Sequence, residues 1–192
     1  MPKQEAVNLN NKGLEYFNSG DYRNAIQCFE KAVKIDPKYK EPWSNMGLSY
    51  GWLEDYQKSI DCCEKALKID PKYTSALNNL GSAYDGLGNY QKAIENYEKA
   101  AEIDPQFKNA WNNMGFAYYN MENYEKAIEC IEKATEIDPN YSNAWNNLGL
   151  SYWGLKDYPK AKECFEQALE KNPNNSAAQK NLNQLKNFLG ES

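Results

Sequence analysis

The chain has 192 residues, a formal net charge of −5 and no histidine. This acidic balance disfavours nucleic acid as a partner, because surfaces that bind nucleic acid usually carry a basic footprint. The absence of histidine excludes histidine-based catalytic triads and the usual Cys/His zinc pattern. No apolar run is long enough to predict a membrane-spanning helix, and the N-terminal residues lack the apolar segment of a signal peptide. We therefore expect a cytoplasmic protein that does not bind membranes.

A period of 34 residues, without insertion or deletion, runs through the chain. The recurring glycines are Gly13, Gly47, Gly81, Gly115 and Gly149, and the recurring prolines are Pro37, Pro71, Pro105, Pro139 and Pro173. Periods of this length indicate stacked supersecondary units that share a continuous core. The five predicted repeats are residues 6–39, 40–73, 74–107, 108–141 and 142–175, and we number the positions within each repeat from 1 to 34.

Each repeat is predicted to contain two amphipathic helices. Positions 4, 7, 8 and 11 have the spacing of one helix face, and positions 20, 24 and 27 have the spacing of a second. Between them lies a turn with Asp or Asn at position 16, such as Asp21, which is expected to cap the second helix. The proline at position 32 ends that helix, because proline cannot continue it. The glycine at position 8 predicts a close approach of the two helices, since glycine otherwise weakens a helix.

The C-terminal residues 176–189 depart from the repeat pattern. Ala178, Leu182, Leu185 and Leu189 fall on one stripe of a predicted helix whose other face is polar. The terminal unit of a repeat array needs such a polar outer face, so we expect a C-terminal capping helix. At the other end, position 7 is polar in the first repeat and apolar in the later ones. Both edges favour a nearly complete array that forms one continuous solenoid domain.

The repeat pattern resembles the tetratricopeptide repeat, whose consensus is W-x2-L-G-x2-Y, then A-x3-F, then A and P. In the fourth repeat these positions include Trp111, Gly115, Tyr118, Ala127 and Pro139. The resemblance implies an all-α fold, a right-handed superhelical α-α solenoid of stacked antiparallel helix pairs. It also implies that the first helices line a concave groove that binds an extended peptide of a partner protein.

The five cysteines are expected to be free thiols that pack on helices. Cys28, Cys62, Cys130 and Cys164 share position 23 of their repeats, and Cys63 follows Cys62. Equivalent positions in stacked helices lie roughly 8–10 Å apart, beyond the ~7 Å Cα limit for a disulfide. This layout favours a reducing compartment, with a redox or metal role as the alternative.

Asparagines form a double row on the predicted groove. Position 6 holds Asn11, Asn45, Asn79, Asn113 and Asn147, and position 5 holds Asn10, Ser44, Asn78, Asn112 and Asn146. A carboxamide is both donor and acceptor, so it can bind the peptide groups of an extended strand. The row is similar to the asparagine ladder in the repeat superhelix of O-linked N-acetylglucosamine transferase. The alternative is that these amides join adjacent repeats, and the two roles are compatible.

Apolar and aromatic side chains are expected beside the asparagines. Together with those asparagines other than Asn10, the predicted peptide-binding residues are Leu48, Trp52, Asp85, Phe116, Tyr119 and Trp153. Aromatic residues are common interface anchors, and an exposed patch of them indicates a partner. The alternative is that several are buried between repeats. Because the inner positions carry few charges, we expect a neutral or apolar peptide held by main-chain contacts.

The sequence as a whole favours a protein–protein interaction scaffold or adaptor without enzymatic activity, cofactor or metal. Most carboxylates of the second helices lie near lysines in i, i+4 pairs, which are typical of solvated helix faces. One alternative function is a structural unit that associates with further copies of itself. Another is a docking or regulatory segment of a larger protein.

Overall fold

The computed structural model describes residues 2–190, which form eleven α-helices and no strand. The predicted all-α helical repeat is therefore confirmed. The chain divides into two compact units, an N-terminal unit up to Asp104 and a C-terminal unit from Pro105 onward. Within the described residues, no helix combines the length and the apolar character needed to cross a membrane.

The N-terminal unit contains three helix pairs, one for each of the first three repeats. Its helices are α1 (Gln4–Asn18), α2 (Tyr22–Ile35), α3 (Lys40–Trp52), α4 (Tyr56–Ile69), α5 (Thr74–Gly86) and α6 (Tyr90–Ile103). The two helices of a pair pack along each other, and the second helix of a pair also packs against the first helix of the next. The first helices α1, α3 and α5 touch in succession, so they share one face of the unit.

The C-terminal unit contains two helix pairs and one further helix. Its helices are α7 (Lys108–Asn120), α8 (Tyr124–Ile137), α9 (Ser142–Gly154), α10 (Tyr158–Lys171) and α11 (Ser176–Leu189). The helix α11 packs on α10 and also contacts α9. It therefore occupies the place that a first helix of a following repeat would take.

Capped turns separate the two helices of every repeat, as the sequence predicts. Asp21 Oδ1 accepts a hydrogen bond from the backbone N–H of Asn24 at 3.1 Å, at the start of α2. The equivalent caps are Asp55, Asn89, Asn123 and Asp157. Each second helix ends at a residue with extended backbone directly before the proline of position 32. Local sequence thus sets both ends of the second helices.

The closest approach of the helices in each pair lies at the glycine of position 8. A Cβ atom on Gly47 would come within 2.5 Å of Cys63 Sγ and 3.1 Å of the Ser59 carbonyl oxygen. The other four glycines would meet the side chain at position 24 in the same way, namely Phe29, Tyr97, Ile131 and Phe165. The predicted close packing is confirmed, and it explains why glycine remains at an unfavourable helical position.

The cysteines are free thiols and belong mainly to the apolar core. Cys62 packs with Phe29 and Met46, and Cys164 packs with Ile131 and Leu148. Burial raises the pKa of the Cys62 thiol to about 11 and that of Cys164 to about 12. Both thiols are therefore protonated at neutral pH, which suits packing and disfavours nucleophilic chemistry.

The first prediction concerns two glycines one turn apart in α3. Gly47→Ala should lower the free energy of unfolding by about 1–2 kcal/mol, because the new methyl group overpacks the contact with Cys63. Gly51→Ala should raise it by about 0.5–1 kcal/mol, because the nearest atom to a Cβ there is Ser59 Oγ at 3.7 Å and alanine favours the helix. Urea unfolding of the two variants measures both effects. Equal changes in stability would contradict the contact geometry.

The second prediction concerns alkaline pH. The pKa of each thiol is higher in the folded chain than its value of 9.0 in the unfolded chain. The resulting contribution to stability is complete below pH 9.0 and is lost as the pH rises towards the folded pKa values of 11–12. The stability of the protein should therefore fall above pH 9. The Cys62→Ala, Cys164→Ala double variant should show a shallower fall, measured by urea midpoints from pH 7 to 10.5. A slope identical to that of the parent chain would show that these thiols do not contribute.

Candidate functional site

Asparagine side chains join the first helices of the N-terminal unit to one another. Asn45 Nδ2 donates to Asn10 Oδ1 at 2.9 Å, which links α3 to α1. Asn79 Nδ2 donates to Ser44 Oγ at 3.1 Å and to the Ser44 carbonyl oxygen at 3.3 Å, which links α5 to α3. Position 6 of one repeat thus donates to position 5 of the preceding repeat.

The same hydrogen bonds recur in the C-terminal unit. Asn147 Nδ2 donates to Asn112 Oδ1 at 3.0 Å, between α9 and α7. Asn181 of α11 donates to Asn146 Oδ1 at 2.8 Å, although α11 lies outside the five repeats. The amide groups therefore form an inter-repeat ladder within each unit, which is the alternative role that the sequence left open.

The two rows of the ladder differ in their access to solvent. All five residues of position 5 are buried. In position 6, Asn79 is also buried, Asn45, Asn113 and Asn147 are half-buried, and Asn11 is exposed. A carboxamide offers two N–H donors and one acceptor, so a half-buried position-6 amide that makes one inter-repeat bond retains groups for a ligand.

An open cavity of about 350 Å³ lies beside the ladder in the N-terminal unit, between α3, α4 and α5. Its lining residues are Leu48, Gly51, Trp52, Glu54, Tyr56, Ser59, Asn79, Ser82 and Ala83. Three of the predicted binding residues, Leu48, Trp52 and Asn79, therefore come together there. The lining is mainly apolar, with a few polar groups at defined places, as is typical of ligand-binding sites.

Trp52 is the most exposed of the predicted aromatic residues, with 61% of its surface accessible. Its ring stacks on that of Tyr22 from the preceding repeat, with centroids 5.7 Å apart and an interplanar angle of 13°. In the next repeat the same position is Gly86, and a Cβ there would come within 2.3 Å of the Tyr56 ring. Position 13 therefore faces the tyrosine of position 17 in the preceding repeat, and a bulky residue there must project outward.

Asp85 lies half-buried near the end of α5. Tyr97 OH of α6 donates to Ser82 Oγ at 3.2 Å, one turn before Asp85. Burial raises the pKa of the Tyr97 phenol, and the nearby Asp85 charge raises it further, so the phenol remains a donor at neutral pH. Asp85 thus adds negative charge close to the first-helix face of this unit.

In the C-terminal unit the predicted aromatic residues Phe116 and Tyr119 are half-buried and stack on each other at 5.9 Å. Tyr119 also contacts the ring of Tyr124 at 5.7 Å. Burial, and secondarily Tyr124, raise the pKa of the Tyr119 phenol, which therefore stays neutral and can donate a hydrogen bond.

Trp153 is half-buried under the last helix. Its ring meets Phe165 edge-on at 6.3 Å and Phe188 of α11 at 6.5 Å. Phe188 also contacts Tyr158 and is itself 62% exposed. Much of the Trp153 surface therefore contributes to the attachment of α11, which leaves less of it for a ligand.

Sequence reasoning did not place Tyr22, Tyr56 and Glu54 in the site. Both tyrosines belong to second helices, whereas the groove is predicted along the first helices. A signal was nevertheless present, since position 17 is tyrosine in every repeat. Glu54 occupies a turn position that is glycine in two other repeats, and its φ of 60° is in the left-handed region. No group of three or more potential metal ligands is gathered among the residues that the structure describes.

A second cavity of about 530 Å³ opens between α2, α3 and α4 and includes Trp43, Met46 and Tyr50. Lysines of the chain cover its aromatic rings, with Lys65 Nζ 4.5 Å from the Trp43 centroid and Lys58 Nζ 5.3 Å from that of Tyr50. The Trp43 indole N–H donates to the Pro37 carbonyl oxygen at 3.2 Å. Lysines of the chain itself therefore cover these rings. Among the described residues, no lysine covers the ring of Trp52 in this way.

Solved structures with a similar fold cover nearly the whole chain. The TPR protein TTC0263 of Thermus thermophilus is 18% identical with a TM-score of 0.84, over 94% of this chain and 98% of that one. The MamA protein is 28% identical with a TM-score of 0.68, over 88% and 93% of the two chains. YrrB, a TPR protein with an unusual peptide-binding site, is 22% identical with a TM-score of 0.64, over 91% and 90%.

Sequence comparison also gives a short match to an uncharacterized protein of Methanocaldococcus jannaschii, 41% identical over 34 residues. The match spans 18% of this chain and 40% of that relative. The sequence profile of the tetratricopeptide repeat matches residues 6–39, 41–106 and 108–173. Proteins of this fold generally mediate protein–protein interaction and are typically non-enzymatic scaffolds. The chain belongs to the tetratricopeptide repeat family.

Proposed function

We propose that the chain is an interaction scaffold that binds an extended peptide segment of a partner along its first helices. The observation that carries this proposal is the open cavity beside the exposed ring of Trp52 in the N-terminal unit. A volume of about 350 Å³ is at the lower end of the range for ligand sites, and it suits one or two side chains of a peptide. YrrB, which shares the fold, is a TPR protein with a peptide-binding site, and this supports peptide as the class of ligand.

The aromatic residues and the asparagines have different parts in this proposal. Trp52 and Leu48 supply apolar contact area, and an exposed tryptophan supported by a second ring is a typical interface anchor. Asn45 forms hydrogen bonds to the main chain of the peptide. It uses the carboxamide groups that are not engaged in its bond to Asn10. Asn79 and the residues of position 5 are buried and mainly hold the repeats in register. Within the C-terminal unit, the half-buried pair of Phe116 and Tyr119 supplies aromatic contact area of its own.

The location and assembly of the protein remain proposals of the same kind. A cytoplasmic location agrees with the buried, protonated thiols of Cys62 and Cys164, which suit a reducing compartment. The one continuous solenoid domain, with α11 as its cap, also stays a prediction. Scaffold function without enzymatic activity is the interpretation that we retain for the whole chain.

The third prediction tests the cavity beside Trp52 by filling it with a side chain. Gly51→Leu should place a side chain in the cavity, because a Cβ at Gly51 meets only Ser59 Oγ at 3.7 Å. We expect a phage-displayed library of random dodecapeptides to yield binders to the parent chain, and the variant to bind them at least tenfold more weakly. The matched control is Glu64→Leu, which adds the same side chain to an exposed position of α4. Equal binding to parent and Gly51→Leu would place the ligand elsewhere.

The fourth prediction separates the structural asparagines from the accessible ones. Asn79→Ala should lower the free energy of unfolding by about 1–2 kcal/mol, because two oxygen atoms of Ser44 lose a buried donor. Asn11→Ala, at the same repeat position, should change it by less than about 0.5 kcal/mol, because Asn11 is exposed. Urea midpoints measure the difference. A small effect of Asn79→Ala would contradict a register role for the ladder.

A further inference from the structure

The residues that line the cavity beside Trp52 include one charged residue, and that residue is acidic. Glu54 lies in the turn between α3 and α4, where it is exposed to solvent, and the other lining side chains are apolar or uncharged. A carboxylate at the rim of an apolar cavity raises the local concentration of cations and repels anions. The charge of the site therefore favours a basic group of a ligand over an acidic one.

The ring of Trp52 has one supported face and one open face. Tyr22 covers the first face in a nearly parallel stack, with an interplanar angle of 13°. The ring nevertheless remains 61% accessible, so the opposite face is open to solvent. A tryptophan held from behind in this way is a pre-organised surface for a flat or cationic group, since indole is the best of the aromatic rings for cation–π contacts.

Elsewhere the chain covers its own aromatic rings with lysines. Nine rings have a lysine Nζ between 4.2 and 6.0 Å from the ring centroid, including those of Trp43 and Trp111. Across residues 2–190, no such pair involves Trp52, and the charged side chain that shares its cavity is the carboxylate of Glu54. Within the described part of the chain, Trp52 and Glu54 therefore line one cavity in which no lysine lies over the indole ring.

We infer that this cavity binds a basic side chain of the partner peptide, and that arginine fits it best. The inference rests on the proposed function, because it identifies the residue that anchors the peptide. A planar guanidinium stacks flat on the open face of Trp52, its methylene groups lie against Leu48, and the Glu54 carboxylate pairs with the charge. Lysine has no planar group to stack and binds more weakly. The neutral peptide expected from the sequence therefore gains one basic anchor.

The test uses pools of synthetic nonapeptides with blocked ends and random uncharged residues. Their central position is fixed as arginine, lysine, citrulline, leucine or glutamate. Citrulline is the informative comparison, because it keeps the shape of arginine without the charge. Binding is measured by fluorescence polarisation at 50 mM salt, where charge effects are weakly screened. We expect the arginine pool to bind about fivefold more tightly than the citrulline pool and about tenfold more tightly than the glutamate pool.

Two variants connect this preference to the cavity. Trp52→Leu keeps an apolar side chain without a ring, and Glu54→Gln keeps the shape without the charge. Each should reduce the ratio of arginine to citrulline affinity to below about twofold, whereas the control Glu64→Gln on α4 should leave it unchanged. Circular dichroism spectra identical to that of the parent chain show that the exposed substitutions leave the helices intact.

The outcomes separate the inference from the proposed function. If the pools bind without a preference for arginine, or if Trp52→Leu and Glu54→Gln retain the preference, the basic anchor is wrong while peptide binding stands. If no pool binds at 1 mM peptide, both the anchor and the proposed function are wrong. A preference for the leucine pool would replace the basic anchor by an apolar one.

Discussion

The contact between the glycine of position 8 and the side chain of position 24 is the constraint on which each helix pair depends. The side chain of position 24 occupies the space that a Cβ of the first helix would need, as with Phe165 against Gly149. Because the two backbones approach so closely there, the spacing of the pair is fixed, and within each unit the next first helix packs against a surface of defined shape. The glycine thus sets, indirectly, where the asparagines and the cavity lie.

Much of the fold could be predicted because the information is local and repeated five times. The caps, the prolines and the apolar spacing each act within a few residues of one helix, and the repetition removes ambiguity between helix and strand. The hydrogen-bond partners of the ladder asparagines were harder to predict. Whether Asn45 reaches Asn10 or a ligand depends on the distance between two first helices, and both roles suit a carboxamide equally well.

The cavity could be predicted only in part, because it depends on residues that differ between repeats. Leu48 and Trp52 were found from their place on the first helix, but the support of Trp52 by Tyr22 joins position 13 of one repeat to position 17 of another. Where position 13 is glycine, as at Gly86, the tyrosine fills the space itself. Replacing glycine by tryptophan at position 13 therefore turns a site filled by the tyrosine ring into a projecting aromatic surface. The residues that are the same in every repeat preserve the fold around it.

The ladder of amides also has a direction. In each described rung the donor belongs to the later helix and the acceptor to the earlier one, and Asn181 of α11 completes the last rung at Asn146. An additional repeat inserted in sequence would bring both a donor for its predecessor and an acceptor for its successor. Gene duplication could therefore lengthen such an array one module at a time, without leaving an unmatched polar group at either new junction.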